Sequence, residues 1–181
     1  MDIKTELEEN KTLLLIMPSV NYNDTIVDTL KELSGKSVCY VTLNKTYSSL
    51  TELFKKKGID TSNTVFIDTI SKTIKDVPDQ TKGCYFISSP GALTEISVAV
   101  SKLLNHDFEY LVFDSLTNLL IYQDKDPVAQ FLSNLANKIR DTDTKAVFYV
   151  LSVKAQDELI KETEMFVDKV VEIKEKEKEG K

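Results

Sequence analysis

Short apolar runs alternate with amphipathic stretches along this chain, and the alternation constrains its fold more than any other feature. Strands of continuous apolar character are buried on both faces, as in a sheet that helices cover on each side. Strand–helix alternation with short loops joins parallel neighbours by right-handed crossovers. The pattern therefore predicts one α/β domain with a mainly parallel central sheet. The predicted strands are 13–17, 37–43, 64–68, 83–88, 110–114, 145–151 and 169–173.

The stretches between these strands carry apolar residues at helical spacing. The helix after the first strand is expected to begin at Asn23 or Asp24, and a later one at Asp126, with Pro127 as its first helical residue. Residues 70–82 are predicted to form a polar connection with a short helix at most. The predicted helices cover about 23–34, 47–57, 93–104, 126–140 and 155–164.

Length and composition favour a single globular domain that needs neither disulfide nor metal. The chain has 181 residues, which is enough to bury a substantial core. Cys39 and Cys84 lie inside strand-like runs and are predicted to be buried thiols, and no Cys/His cluster is spaced to hold a metal. We expect an N-terminal extension at 1–10, the α/β domain at 11–173 and a charged tail at 174–181.

The net charge of −6 argues against non-specific binding of nucleic acid, because such binding depends on Lys and Arg neutralising phosphates. The first ten residues lack the apolar segment of a signal peptide, and no apolar run is long enough to span a bilayer. These features predict a cytoplasmic protein with no membrane segment and no nucleic-acid partner.

Several segments in order resemble the RecA-like ATPases of the KaiC type. Residues 35–43 and the helix after them are similar to the second strand and helix of that family. Leu-Val-Phe-Asp-Ser-Leu at 111–116 resembles its Walker B strand, and 167–173 resembles its last core strand. The resemblance covers roughly 11–173, implies a three-layer RecA-like domain, and is strongest to archaeal relatives that lack the phosphate-binding loop.

The departures from that family concern the residues that would bind and hydrolyse a nucleotide. A Walker A loop uses glycines and a lysine to surround the phosphates, but residues 18–25 read Pro-Ser-Val-Asn-Tyr-Asn-Asp-Thr. Asn44 and Lys45 stand where the resemblance places a catalytic glutamate. A degenerate Walker A segment without that carboxylate implies a pseudo-ATPase with no catalytic residue, no metal and no cofactor.

The positions matching the family's nucleotide site are the only cofactor-site residues that the resemblance supplies. In the family, Asp114 would hold magnesium through water; alternatively it caps the segment that begins at Leu116 or bonds a neighbouring strand end. The degenerate nucleotide-site positions are Ser19, Asn21, Asp24, Thr25, Asp114 and Ser115.

Binding is expected at the carboxyl edge of the sheet, where ligands sit in open parallel sheets. The segments 18–22, 88–91 and 114–122 emerge there, and the backbone of 88–91 is suited to a small anion. Leu119, Leu120 and Tyr122 are candidate partner contacts, with core packing as the alternative. His106 is expected in a solvated loop.

The predicted function is a catalytically inactive RecA/KaiC-like domain that binds or regulates through protein–protein contacts or self-association. The alternative is an atypical nucleotide-binding ATPase with a non-standard phosphate site.

Overall fold

A single eight-stranded sheet forms the centre of the computed structural model, which describes residues 2–152 and 157–174. The strand order is β4-β5-β3-β2-β6-β7-β1-β8, and every pairing is parallel except β4 with β5. The strands are β1 (Thr12–Met17), β2 (Val38–Thr42), β3 (Thr64–Asp68), β4 (Gln80–Thr81), β5 (Cys84–Phe86), β6 (Tyr110–Asp114), β7 (Lys145–Leu151) and β8 (Lys169–Glu172).

Helices cover both faces of the sheet. The described helices are α1 (Ile3–Glu9), α2 (Tyr22–Glu32), α3 (Tyr47–Lys56), α4 (Ser71–Ile74), α5 (Leu93–Leu104), α6 (Leu116–Tyr122), α7 (Lys125–Arg140) and α8 (Asp157–Glu164). Buried residues of α1, α2 and α3 pack on one face, and those of α5, α6, α7 and α8 pack on the other. Side chains alternate between the faces along each strand, so Leu13 and Leu15 meet the first group and Leu14 meets the second.

The predicted architecture is confirmed. The strands β2, β6, β7 and β1, which correspond to four of the predicted apolar runs, lie side by side at the centre of the sheet. Their residues are almost all buried, because layers of helices exclude water from both faces. Cys39 and Cys84 are free, buried thiols, and burial raises the pKa of both.

Several element boundaries differ from the expected ones. The helix α2 begins at Tyr22 with Asn21 as its N-cap, two or three residues earlier than a cap at Asn23 or Asp24 predicts. The helix α7 begins at Lys125 with Asp124 as its N-cap, so Pro127 is its third residue. Proline fits there because the first-turn N–H groups of a helix have no intrahelical acceptor.

The region 70–82 is more structured than expected. It contains the short helix α4 and also the strand β4, which pairs antiparallel with β5 at the end of the sheet. The predicted helix residues 155–156 and the charged tail from 175 onward lie outside the described residues.

The segment expected to be an N-terminal extension contains the helix α1. The helix α1 buries Ile3 and Leu7 against the face covered by α2. The Glu32 carboxylate at the end of α2 accepts hydrogen bonds from the backbone N–H groups of Ile3 (2.5 Å) and Lys4 (3.3 Å). These first-turn donors have no partner inside their own helix, so Glu32 fastens α1 to α2.

The apolar segment after β6 forms the helix α6, which lies across the carboxyl ends of three central strands. Its Asn118 side chain donates to the Leu43 carbonyl beyond β2 (2.7 Å), and the Thr117 hydroxyl accepts from the Leu151 N–H at the end of β7 (2.8 Å). Across the described ranges, no helix is long and apolar enough to cross a membrane.

Candidate functional site

A buried carboxylate, Asp114, stands at the carboxyl end of the central strand β6. It is fully buried, and its Oδ2 atom accepts hydrogen bonds from the hydroxyl groups of Tyr22 (2.5 Å) and Tyr40 (2.7 Å). Tyr40 lies on the adjacent strand β2, and Tyr22 is the first residue of α2. Tyr22, at the start of α2, therefore covers the Asp114 carboxylate.

The period-two alternation of the strands builds this cluster. Asp114, Val112 and Tyr110 point to the same face of β6, which is the face covered by α1, α2 and α3. Tyr40 and Tyr149 lie on that face of the flanking strands β2 and β7, so their rings converge on Asp114 from both sides. The peptide bond between Asp114 and Ser115 is cis.

Burial dominates the electrostatics of the cluster. It raises the pKa of Asp114 to about 6, although the hydrogen bonds from Tyr22 and Tyr40 and the charge of Lys45 act in the opposite direction. Burial and the nearby Asp114 charge raise the pKa values of the Tyr22 and Tyr40 hydroxyls, and burial also raises that of Tyr149. Tyr22 and Tyr40 therefore remain protonated hydrogen-bond donors to the carboxylate.

Three further polar atoms of the cluster are buried without a hydrogen-bond partner among the described residues. They are Asp114 Oδ1, the Ser115 hydroxyl and the Tyr149 hydroxyl. Tyr149 lies beside Thr29, but without a hydrogen bond of ordinary geometry. Buried polar atoms are nearly always hydrogen-bonded, so this concentration at one strand end distinguishes the cluster from the rest of the core.

The segment after β1 occupies the place where a phosphate-binding loop would stand. Pro18 is followed by one 3₁₀ turn (Ser19–Asn21), and α2 then begins directly at Tyr22. No extended loop of free backbone N–H groups forms there. The Tyr22 ring is buried, and the Lys45 ammonium lies 5.7 Å from its centre.

The degenerate nucleotide-site positions are only partly brought together. Asp114 and Ser115 lie in the buried cluster, whereas Ser19 and Asp24 are exposed. The Thr25 hydroxyl donates to the Asn21 carbonyl within α2 (2.9 Å) and does not reach Asp114. The hydrogen bonds to the Asp114 carboxylate come from the Tyr22 and Tyr40 hydroxyls. They do not come from the backbone of a neighbouring strand end.

Sequence reasoning missed the roles of Tyr22, Tyr40 and Tyr149. The available signal was the recurrence of tyrosine inside two mainly apolar strands, since a buried tyrosine hydroxyl usually finds a polar partner. Asp68 was also missed: it is fully buried at the end of β3 and accepts from the backbone N–H groups of Tyr47, Ile70 and Ser71 and from the Ser71 hydroxyl.

The turn at 88–91 already holds a carboxylate of this chain. Glu95 of α5 accepts from the Ser88 N–H (3.0 Å) and from the Ser88 hydroxyl (2.7 Å), and these bonds lower its pKa. The Glu95 carboxylate of this chain therefore occupies the place where the turn was considered suited to a small anion.

The candidate partner contacts in α6 differ in their exposure. Leu119 is fully buried in the core and Leu120 is half-buried, whereas Tyr122 is exposed. Ile121, which sequence reasoning did not select, is the most exposed apolar residue of α6, at 72%. A contact surface on α6 must therefore be formed by Ile121 and Tyr122, with Leu119 serving the core. His106 is exposed in its loop.

The sheet order and its helix layers define an α/β domain with the KaiC-like form of the RecA fold. A KaiC-like protein from the hyperthermophilic archaeon Pyrococcus horikoshii OT3 shares this fold with a TM-score of 0.62 and 13% identity, over 93% of this chain and 74% of that protein. An uncharacterized protein from Pyrococcus horikoshii, solved in complex with an unknown peptide, has a TM-score of 0.66 and 14% identity, over 94% of this chain and 82% of that protein.

The chain belongs to the family of unknown function designated DUF7504, which it matches over residues 18–173. No curated protein matches it. The matched range begins after β1 and ends just after β8, so it contains the whole Asp114 cluster.

Proposed function

We propose that this chain is a catalytically inactive RecA/KaiC-like domain that works as a binding or regulatory module through protein–protein contacts. The observation that carries the proposal is the Tyr22 hydroxyl, 2.5 Å from Asp114 Oδ2 in a fully buried setting. In the resembling ATPases this acidic position faces magnesium and phosphate. In this chain the Tyr22 side chain, from the start of α2, occupies that space.

Three further features support loss of the nucleotide site. The segment 18–21 is a 3₁₀ turn without glycine or lysine, so it offers no cradle of backbone donors. Asn44 and Lys45 replace the expected carboxylate, and Lys45 is placed against the Tyr22 ring. A single buried carboxylate with two tyrosine donors is a poor magnesium ligand, since magnesium prefers several oxygen ligands and retained water.

The binding half of the proposal draws on the structural neighbours. One of them was solved with an unknown peptide, and its fold matches 94% of this chain. The described surface of this chain also exposes large apolar side chains on α5 and α6.

The alternative, an atypical nucleotide-binding ATPase, is favoured by one observation: Asp114 Oδ1 and the Ser115 hydroxyl lack partners among the described residues. A nucleotide would reach them only if the Tyr22 ring moved out of the core.

Nucleotide binding and turnover separate the two functions. We expect no ATP hydrolysis above a blank, and no shift of the melting temperature with magnesium-ATP or magnesium-ADP. A bound ligand at 100 times its dissociation constant would stabilise the protein by about 2.7 kcal/mol, which a melting curve detects easily.

The variant Tyr22→Ala serves as the matched test of the filled approach. It removes the ring that covers Asp114 and leaves the carboxylate in place. Turnover by the wild-type protein that survives repurification and is lost in Asp114→Asn contradicts the proposal. Nucleotide binding that appears only in Tyr22→Ala supports it, because the ring is then what excludes the ligand.

A further inference from the structure

We infer that the partner-binding surface is a groove with an apolar floor between α5 and α7, together with the exposed Ile121 and Tyr122 at the end of α6, and that its occupant is an amphipathic segment of another protein with basic residues at one end. The inference rests on the proposed binding role and specifies the chemistry of the partner.

Exposed apolar side chains lie on the groove wall and at the end of α6. Ile121 is 72% exposed and Tyr122 is 48% exposed at the end of α6, and Val98 on α5 is 66% exposed. Single exposed apolar residues are ordinary on a protein surface, but several around one concavity mark a contact site.

The groove has a mixed lining. It has a volume of about 310 Å³ and is lined by four apolar residues, Leu93, Val98, Pro127 and Phe131, and by four polar residues, Thr94, Ser97, Gln130 and Asn134. Leu93 is half-buried and Phe131 is nearly buried, so the floor is apolar and its rim is partly polar. This is the form of site into which an amphipathic helix lays its apolar face.

Contacts between α6 and the turn before α5 connect Tyr122 to the groove. The Gln123 side chain donates to the Gly91 carbonyl (2.7 Å), and a Cβ atom built on Gly91 would lie 3.0 Å from the Tyr122 Cβ. Leu93 follows this turn directly, and Pro127 follows the α6–α7 connection. The two groove walls therefore start at the point where Tyr122 packs against Gly91.

Exposed acidic side chains at the start of α7 indicate that one end of the occupant is basic. Asp124 and Asp126 are exposed where α7 begins. Lys125, which lies between them, is bound to Glu158 (3.0 Å) and Glu162 (2.9 Å), so it does not neutralise the two aspartates. The start of α7, next to the groove residue Pro127, is consequently acidic. This charge attracts Lys or Arg side chains and repels phosphate groups.

The opposite end of the groove carries the opposite charge. Lys138 of α7 donates to the hydroxyls of Ser97 (3.0 Å) and Ser101 (2.7 Å) on α5, and it forms no ion pair with any described carboxylate. Asp126 and Lys138 are separated by about 18 Å of helix. An occupant helix of about 12 residues spans this distance, with basic residues at one end and an acidic residue toward the other.

Peptide display on the full chain tests the inference. We expect a random library of peptides about 12 residues long to enrich for apolar residues at helical spacing with Lys or Arg at one end. The affinity of one enriched synthetic peptide is then measured by fluorescence anisotropy. Failure to enrich any peptide on the wild-type chain overturns the inference.

Matched surface substitutions test whether the peptide binds in the groove. Ile121→Ser and Val98→Ser should each weaken binding about tenfold, because each removes apolar contact area. Met165→Ser and Val20→Ser are the controls, since Met165 is 71% exposed and Val20 is 76% exposed outside the groove. Equal losses in the test and control variants, or no loss in the test variants, contradict the proposed groove.

Removal of the two aspartate charges tests the basic end. Asp124→Asn combined with Asp126→Asn keeps residues that tolerate a helix start, so α7 should form normally while binding weakens and depends less on salt. Unchanged affinity and salt dependence contradict the charge argument.

Sedimentation of the free chain tests the other possible occupant of the groove, which is a second copy of this chain. Concentration-dependent association that is lost in Ile121→Ser would replace the heterologous partner with self-association and overturn the inference. Peptide binding that maps outside the groove overturns this site while leaving a binding module intact. ATP turnover, by contrast, contradicts the inactive function without affecting the peptide data.

Discussion

At the scale of single residues, Asp114 is a fully buried carboxyl group whose environment differs strongly from water. Its pKa is raised from 3.8 to about 6 because burial disfavours the charged form. The Tyr22 and Tyr40 hydroxyls compensate only part of that cost.

The pH dependence of stability should reveal this carboxyl group. Because its pKa in the folded chain is raised above the unfolded value, its contribution to stability is fully present below pH 3.8 and is lost as the pH rises through about 6. The variant Asp114→Asn has no such titration. Its unfolding free energy relative to wild type should therefore rise by about 3 kcal/mol between those limits, measured by urea unfolding at each pH.

The variant Tyr22→Phe provides the companion measurement. Removing one donor from a buried carboxylate should cost about 1–3 kcal/mol above pH 6 and less below it. The cost of Tyr22→Phe should be smaller in the Asp114→Asn background, because the side chain at position 114 then carries no negative charge for the hydroxyl to stabilise. An Asp114→Asn difference that does not change with pH would show that the carboxyl group titrates in the same way in the folded and unfolded chain.

At the scale of elements, Asp68 connects a strand end to two helix starts. Its carboxylate accepts the Tyr47 N–H at the start of α3 (2.7 Å) and the Ile70 (2.7 Å) and Ser71 (2.9 Å) N–H groups at the start of α4. First-turn N–H groups have no intrahelical acceptor, so one buried carboxylate satisfies donors from both helices. The carboxyl end of β3 is thereby fixed to the helices on either side of it.

Substitution of Asp68 tests this connection. Asp68→Ala leaves several buried donors unsatisfied at once and should lower the free energy of unfolding by about 3 kcal/mol or more. Equilibrium urea unfolding measures the loss. Asp60→Ala is the matched control, because Asp60 accepts from the Ser62 N–H (2.9 Å) in an exposed turn and its loss should cost less than about 0.5 kcal/mol. Similar costs for the two variants would contradict the role of Asp68.

At the scale of the whole molecule, the first helix completes one face of the sheet. Leu7 is fully buried within the layer formed by α1, α2 and α3, and Glu32 holds the start of α1. The N-terminal segment thus contributes to the core and is not an appendage.

Leu7→Ala should measure that contribution. Truncating a fully buried leucine removes transfer energy and leaves a cavity, so we expect a loss of about 2–5 kcal/mol in urea unfolding. Glu8→Ala, at an exposed position of the same helix, should change the stability by less than about 0.5 kcal/mol. A Leu7→Ala variant as stable as Glu8→Ala would mean that α1 is detached in solution.

The sequence by itself determined the fold class and the four central strands. Long apolar runs such as 13–17 and 145–151 have only one stable place, between two layers of helices, so local pattern and tertiary position coincide. It also showed what the segment 18–25 lacks, because glycine and lysine are required by chemistry independent of packing. Helix boundaries near Asn21 and Asp124 were displaced because several neighbouring residues are of the types that cap helices, and neither Asn21 nor Asp124 makes a capping side-chain hydrogen bond.

Only the tertiary structure decided what fills the place of the missing loop and which side chains face outward. Tyr22, Tyr40 and Asp114 are far apart along the chain, and their meeting depends on the strand order and on where α2 begins. Burial of Leu119 beside exposed Ile121 depends on how α6 crosses the strand ends. Periodicity reports which residues share a face, but the neighbouring elements determine whether that face meets core or solvent.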